Sequence, residues 1–284
     1  MAKFFFSSDL HGKKSRYEKL FQAICKERPD GLFLGGDLLP SGWSGTDDVE
    51  DFLYDFLVAG FKSLKSSLGE DFPRIFCILG NDDPRFEEPE IIKIASTGLW
   101  SYMHKQITGF LDYTVFGYSY VPPSPFLKKD WEKYDVSRFV DPGCVSPEEG
   151  LRSTEVCPHS IRYSTIQKDL DTLSKGKELS RSIFLFHAPP YSSGLDRADL
   201  DGKMIDHVPI DPHVGSIAIK RFIETKQPHI TLHGHIHESY RLTGKFKEKW
   251  GKTVMLQGAH DGPELCLVTF DPGDPWSSAK RRLL

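Results

Sequence analysis

Five short apolar runs in this chain each stop abruptly at acidic, amide or imidazole residues, and this recurrence constrains the fold more than any other feature. Lys3–Ser8 runs into Asp9, Leu10 and His11, and Gly31–Leu34 runs into Gly35, Gly36 and Asp37. Arg74–Leu79 ends at Gly80, Asn81, Asp82 and Asp83, and Ser182–Phe186 ends at His187. Ile230–Leu232 leads into His233, Gly234, His235, Ile236 and His237. Runs of this length bounded by glycine and proline read as buried strands. Between them lie helical stripes: Tyr17, Leu20, Phe21 and Ile24, then Val49, Phe52, Leu53, Phe56 and Leu57 continued by Phe61, Leu64 and Leu68. A weaker stripe covers Tyr163, Ile166, Leu170 and Leu173, and a further helix opens at Gly215-Ser216. These stripes are core faces, and their alternation with strands argues an α/β fold. The later runs Tyr113–Tyr118, Thr253–Leu256 and Leu265–Phe270 have less helix between them and predict an antiparallel or mixed portion. Residues 122–160, rich in Pro, Lys, Glu and Asp and without period, read as an inserted loop or lid within one domain spanning 1–284.

Composition narrows the classes. Hydrophobic residues are 39% and charged residues 27%, a globular profile. No apolar run approaches the ~20 residues of a membrane span, and the start of the chain lacks the pattern of a secretory signal. A net charge of −4, with no basic-aromatic stripe, argues against a nucleic-acid partner. The five cysteines are scattered without a C-x-x-C pair, as in a reduced cytoplasmic protein; Cys144 and Cys157 are the pair to test for a bridge. No oligomeric state is specified.

In α/β sheets, ligands bind beyond the carboxyl ends of strands, where all the acidic and imidazole residues above fall. Strand alternation would point Asp9 and His11 the same way, and likewise His235 and His237. Carboxylate, imidazole and amide donors together suit a divalent metal such as Mn, Fe or Zn. Absent thiolates argue against structural zinc. A lone Asp-x-His arises often by chance, and Gly-His-x-His is moderately specific. The ordered set of five leaves little room for coincidence.

From Asp9 to His237 the chain resembles the calcineurin-like metallophosphoesterases, whose motifs run D-x-H, G-D, G-N-H-D/E, H and G-H-x-H, and among them the small prokaryotic members. The resemblance implies a four-layer α-β-β-α sandwich with two mixed sheets and a two-metal centre at the strand ends. It also implies that Asp9, His11 and His237 hold one ion, that Asn81, His187 and His235 hold the second, and that Asp37 bridges both. Two such cations, Mn²⁺ by expectation and Fe or Zn as alternatives, would generate a metal-bridging hydroxide that attacks phosphorus in line.

One position departs from the pattern. Asp82 stands where the family places a histidine that stabilises or protonates the leaving oxygen. An ordinary Asp carboxyl, with a pKa of ~3.9, is a poor acid at neutral pH. Either the leaving group needs no acid, or another imidazole substitutes (His260, His213 or His207), or the site binds without turnover. His213 and the helix amides after Gly215 are candidates for substrate phosphate, as is Asn81. Arg85 could meet a phosphate or pair with Glu87 or Glu88, the latter being favoured. His233 is expected to brace a ligand. The expectation is a cytoplasmic phosphoesterase acting on a small phosphorylated substrate. A diester is favoured because its smaller charge tolerates Asp82. The alternatives are a metal- or phosphate-binding protein with little catalysis and, within the hydrolases, a nuclease.

Overall fold

The computed structural model describes residues 2–41 and 51–284. β1 (Phe4–Ser7), β2 (Gly31–Gly35), β3 (Arg74–Ile78) and β4 (Ser101–Tyr102) lie side by side and parallel in one sheet. β5 (Ile107–Phe110) and β6 (Tyr113–Tyr118) open the second sheet as a hairpin, and β7 (Ser182–Phe186) pairs parallel to β6. β8 (Met204–Ile205) and β9 (Val208–Pro209) make a small hairpin whose exposed turn carries His207. β10 (Ile230–His233), β11 (Lys247–Trp250) and β12 (Thr253–Gln257) complete the second sheet, in the order β11-β12-β10-β7-β6-β5. β13 (Cys266–Phe270) and β14 (Lys280–Leu283) return to the first, antiparallel beside β1. Both sheets have six strands and are mixed. The later strands thus divide: β13 is antiparallel, but β6 and β12 run parallel to β7 and β10.

Side-chain alternation in β1 builds the layers. Phe4 and Phe6 enter the core between the sheets with Phe33, Val115, Ile183 and Leu232. Phe5 faces the other way, into the core shared with the helices. α1 (Lys14–Glu27) and α2 (Ala59–Leu68) supply Leu20, Ile24, Phe61 and Leu64 to that outer core. A π-helical turn, Phe52–Val58, leads into α2, so the predicted stripe is broken in register there; Val49 lies outside the described residues. α3 (Glu88–Ala95) follows the Asn81 loop. The last expected stripe is split, Tyr163 ending α4 (Pro158–Tyr163) while Ile166 opens α5 (Ile166–Ser174). α6 (Ile217–Lys226) covers the second sheet, its Phe222 ring 4.9 Å from that of Phe184. The result is the four-layer α-β-β-α sandwich. Each fully buried Phe contributes roughly 1.5–3 kcal/mol by leaving water. Among the described residues no helix is long and apolar enough to cross a membrane. All five cysteines, Cys144 and Cys157 included, are free.

Residues 122–157 hold no regular helix or strand, yet they are packed. Trp131 is fully buried and its indole N–H donates to the Asp83 carbonyl at 3.0 Å. Lys129 and Glu132 form a buried ion pair, and Glu132 also accepts from the Ser124 N–H at 2.8 Å. Asp135 reaches α6: its carboxylate accepts from Ser216 Oγ at 2.5 Å, from the Ile217 N–H at 2.6 Å and from the Ala218 N–H. A substrate phosphate expected at these amides would find them engaged, because the segment carries its own carboxylate to the helix N-terminus.

Candidate metal centre

The strands stop short of the expected donor residues, and left-handed backbone aims four of them. β1 ends at Ser7, and Asp9 and His11 follow with φ of 59° and 48°; Asp37 has 52° and His235 has 73°. Strand alternation therefore does not set these directions. Asp and His tolerate this region better than most residues, and each such position stores on the order of 1–3 kcal/mol of strain. Backbone bonds hold the turns: Asp9 N–H donates to the Gly36 carbonyl at 2.9 Å, and His11 N–H to that of Asp37 at 2.7 Å. Two glycines are required by crowding. A Cβ on Gly80 would stand 2.3 Å from Asp37 Oδ1, and one on Gly234 would stand 2.0 Å from Ser8 Oγ and 2.7 Å from Asp9 Oδ2.

The loops of the two sheets meet over these glycines. Asp9, His11, Asp37 and His237 each offer a ligand atom, all within 4.8 Å of one another. The Nε2 atoms of His11 and His237 are 3.2 Å apart, and His237 Nε2 is 3.2 Å from Asp9 Oδ1. Three more of the expected donors lie close by. His187 Nε2 lies 2.9 Å from Asn81 Oδ1 and 3.3 Å from Asp37 Oδ2, and the His187 and His235 rings are 5.1 Å apart. The seven expected residues thus lie near one another: Asp9, His11, Asp37 and His237 in one group, and His187 beside Asn81, Asp37 and His235.

The donor chemistry fits cations. His187 Nδ1 must donate to the Gly35 carbonyl, 2.8 Å away, which can only accept. In a neutral ring, Nε2 then presents a lone pair to two oxygens that are themselves acceptors. A positive charge at Nε2 resolves the conflict, either a proton that lets the ring donate from both nitrogens or a divalent ion, for which the Gly35 carbonyl would fix the ring orientation. The protein's own charges respond in the same sense. Burial disfavours charge on the His187 ring, yet Asp37 and then Asp9 raise it to about 10, so the pocket favours positive charge from a proton or a metal ion. Burial works against ionisation of Asp37, yet His187 and then His11 hold its carboxyl well below the ordinary range. Burial, followed by the charge of His187, pushes the His235 imidazole down to about 3, leaving it neutral and able to ligate.

The structure engages several other expected residues elsewhere. His213 Nδ1 lies 2.7 Å from the buried Asp196 carboxylate. His260 sits between Glu264, at 3.0 Å from Nε2, and the Arg281 guanidinium, at 3.2 Å from Nδ1. Arg85 donates to Tyr120 Oη at 2.7 Å, pairs with Glu88 at 3.3 Å and stacks over Trp131 at 4.9 Å, so it anchors the irregular segment that follows β6. His233 bonds the Ala188 carbonyl at 2.9 Å and so braces the backbone beside His187. Asp82 is at the centre: its N–H donates to Asp37 Oδ1 at 2.8 Å and its carboxylate is 3.5 Å from His11 Nδ1. Burial and then the Asp37 charge raise its carboxyl, while His11 and Lys128 pull it back.

Two supporting residues were not foreseen. Asp83, fully buried, accepts from the Leu38, Leu39 and Gly80 N–H groups and so ties the Asp37 turn to the Asn81 turn. Its place directly after Gly80-Asn81-Asp82 was the available signal. Arg16 donates to the Asp9 carbonyl at 2.5 Å and to the Gly262 carbonyl, from a helix where nothing in the pattern marks it.

The fold and the clustered Asp and His residues together define a two-sheet sandwich with a candidate metal centre at the strand ends. A family model described as calcineurin-like phosphoesterase matches residues 2–239, and the chain belongs to that family of metal-dependent phosphoester hydrolases. TT1561 of Thermus thermophilus is similar at 16% identity with a TM-score of 0.57, over 99% of this chain and 98% of that one. A second crystal structure covers the same shares at 15% identity with a TM-score of 0.58. At these identities the likeness shows the fold. No curated protein matches the chain.

Proposed function

We propose that this chain hydrolyses a small phosphodiester with two divalent cations, Mn²⁺ in first place, held by Asp9, His11 and His237 on one side, by Asn81, His187 and His235 on the other, and by Asp37 between them. The observation that supports this reading is the close group of Asp9, His11, Asp37 and His237, with His187 beside Asp37 and Asn81 and oriented by the Gly35 carbonyl. When bound, such cations supply an activated water at neutral pH and neutralise phosphoryl oxygens, most of what phosphoryl transfer asks of a protein. The chain's residues do the rest. Asp37, Asp9 and the four histidines fix the ion positions, and the turns hold them before substrate arrives. Asn81 adds an amide without adding charge. Asp82, as an anion at the rim, disfavours the second charge of a monoester. His260 and His213 each face a carboxylate of their own, so departure of the leaving oxygen rests on a good leaving group. Five free thiols suit a reducing, cytoplasmic setting.

The test strips the protein with chelator, reloads it with Mn²⁺ and compares initial rates on a mono- and a bis-nitrophenyl phosphate. Activity is expected only with metal, and faster on the diester. A faster monoester would overturn the substrate class. No turnover on either, with metal bound, would leave a binding protein.

A further inference from the structure

The insertion delivers one cation to the rim of this centre. Lys128 Nζ donates to the backbone carbonyl of Asp82, the residue standing where the family has its histidine. Asp82 in turn bonds Asp37 through its N–H and faces His11 through its carboxylate, so the ammonium is one residue removed from the shared ligand. The lysine is held on both sides. Lys129 N–H donates to the Leu151 carbonyl and Leu151 N–H to that of Leu127, both at 2.7 Å, while Trp131 is fixed to the Asp83 carbonyl. Among the described residues Lys128 has no ion-pair partner. By contrast Lys129 is paired with Glu132, Lys133 with Asp169 and Arg85 with Glu88. An ammonium has three donors, and the Asp82 carbonyl occupies one.

We propose that Lys128 contacts the substrate phosphoryl group at this rim, so that a cation carried in by the insertion supplies the charge stabilisation that Asp82 does not. The inference rests on the phosphoesterase reading. A preorganised donor aimed where negative charge develops gives typically ~10²–10³-fold in rate. The ammonium also offsets the Asp82 carboxylate, which otherwise repels a phosphate.

The experiment compares wild type, Lys128→Met and Lys128→Arg, each loaded with Mn²⁺, in two measurements: calorimetric binding of inorganic phosphate, and kcat/KM on two aryl phosphodiesters whose leaving groups differ in pKa. Lys128→Met is expected to bind phosphate roughly 10-fold more weakly. It should also lose roughly 10²-fold in kcat/KM, more on the poorer leaving group if Lys128 faces the departing oxygen. Lys128→Arg should recover most of both, and metal content should be equal in all three. Phosphate affinity and kcat/KM unchanged in Lys128→Met would overturn the proposal. So would a lowered melting temperature with phosphate binding intact, since that marks a lysine that only pins the Asp82 turn. An inactive wild type that still binds phosphate through Lys128 would sink the phosphoesterase reading and leave this contact standing.

Discussion

Asp37→Asn is expected to lower kcat by at least ~10²–10³-fold, about 3–4 kcal/mol of barrier. The substitution keeps the side chain's shape, so Oδ1 can still accept from the Asp82 N–H, the bond that sets the Asn81–Asp82 turn. It removes the charge that lies 3.3 Å from His187 Nε2 and 4.0 Å from His11 Nε2, the atom group common to both donor sets. An amide can ligate one ion weakly but is a poor bridge between two. Circular dichroism should be unchanged while Mn²⁺ affinity falls. If kcat stayed within about threefold of wild type, Asp37 would not be a shared ligand, and the two-ion account would fail.

Glu132→Ala is expected to destabilise the fold by ~3–5 kcal/mol, since it leaves the Lys129 ammonium buried without its counter-charge. Both side chains are essentially inaccessible, at 0% and 1% exposure, and Glu132 also holds the Ser124 N–H and hydroxyl. Burial is the largest influence on Glu132 and raises its carboxyl despite the ammonium beside it, as expected where desolvation competes with Coulomb attraction. The double change Lys129→Met with Glu132→Leu should regain most of the loss. Urea melts of the three proteins give the comparison, and a single variant within about 1 kcal/mol of wild type would show that this pair does not hold the insertion. The location matters to function because Lys128 precedes the pair, Trp131 lies between its two members, and both bond the Asp82–Asp83 backbone.

The strand ends and the polar residues at them were legible because burial and chemistry leave opposite marks, an apolar run for the strand and then a polar cluster where it stops; the choice of seven donors among them came from the resemblance to the family. The way the donors converge was not. Asp9 and His11 looked like strand neighbours on one face, whereas left-handed turns aim them; a φ value has no signature beyond the residue types that tolerate it. Residues 122–157 were legible as an irregular segment but not as a packed one. Its order comes from single long-range bonds, from Trp131 to Asp83, Asp135 to α6 and Lys128 to Asp82, and none of these repeats with a period. His213 and His260 looked free because a histidine's partner, here Asp196 and Glu264, is settled by tertiary approach. Arg16 was hidden for the same reason: on α1 it resembles any helical arginine until the Asp9 and Gly262 carbonyls close over it.

The central claim is that two cations share Asp37, and anomalous diffraction from crystals of the Mn²⁺-loaded protein tests it most directly. Two peaks about 3.5–4 Å apart are predicted. One should be ringed by Asp9, His11, Asp37 and His237, the other by Asp37, Asn81, His187 and His235. A single peak, or two that do not share Asp37, would contradict the account.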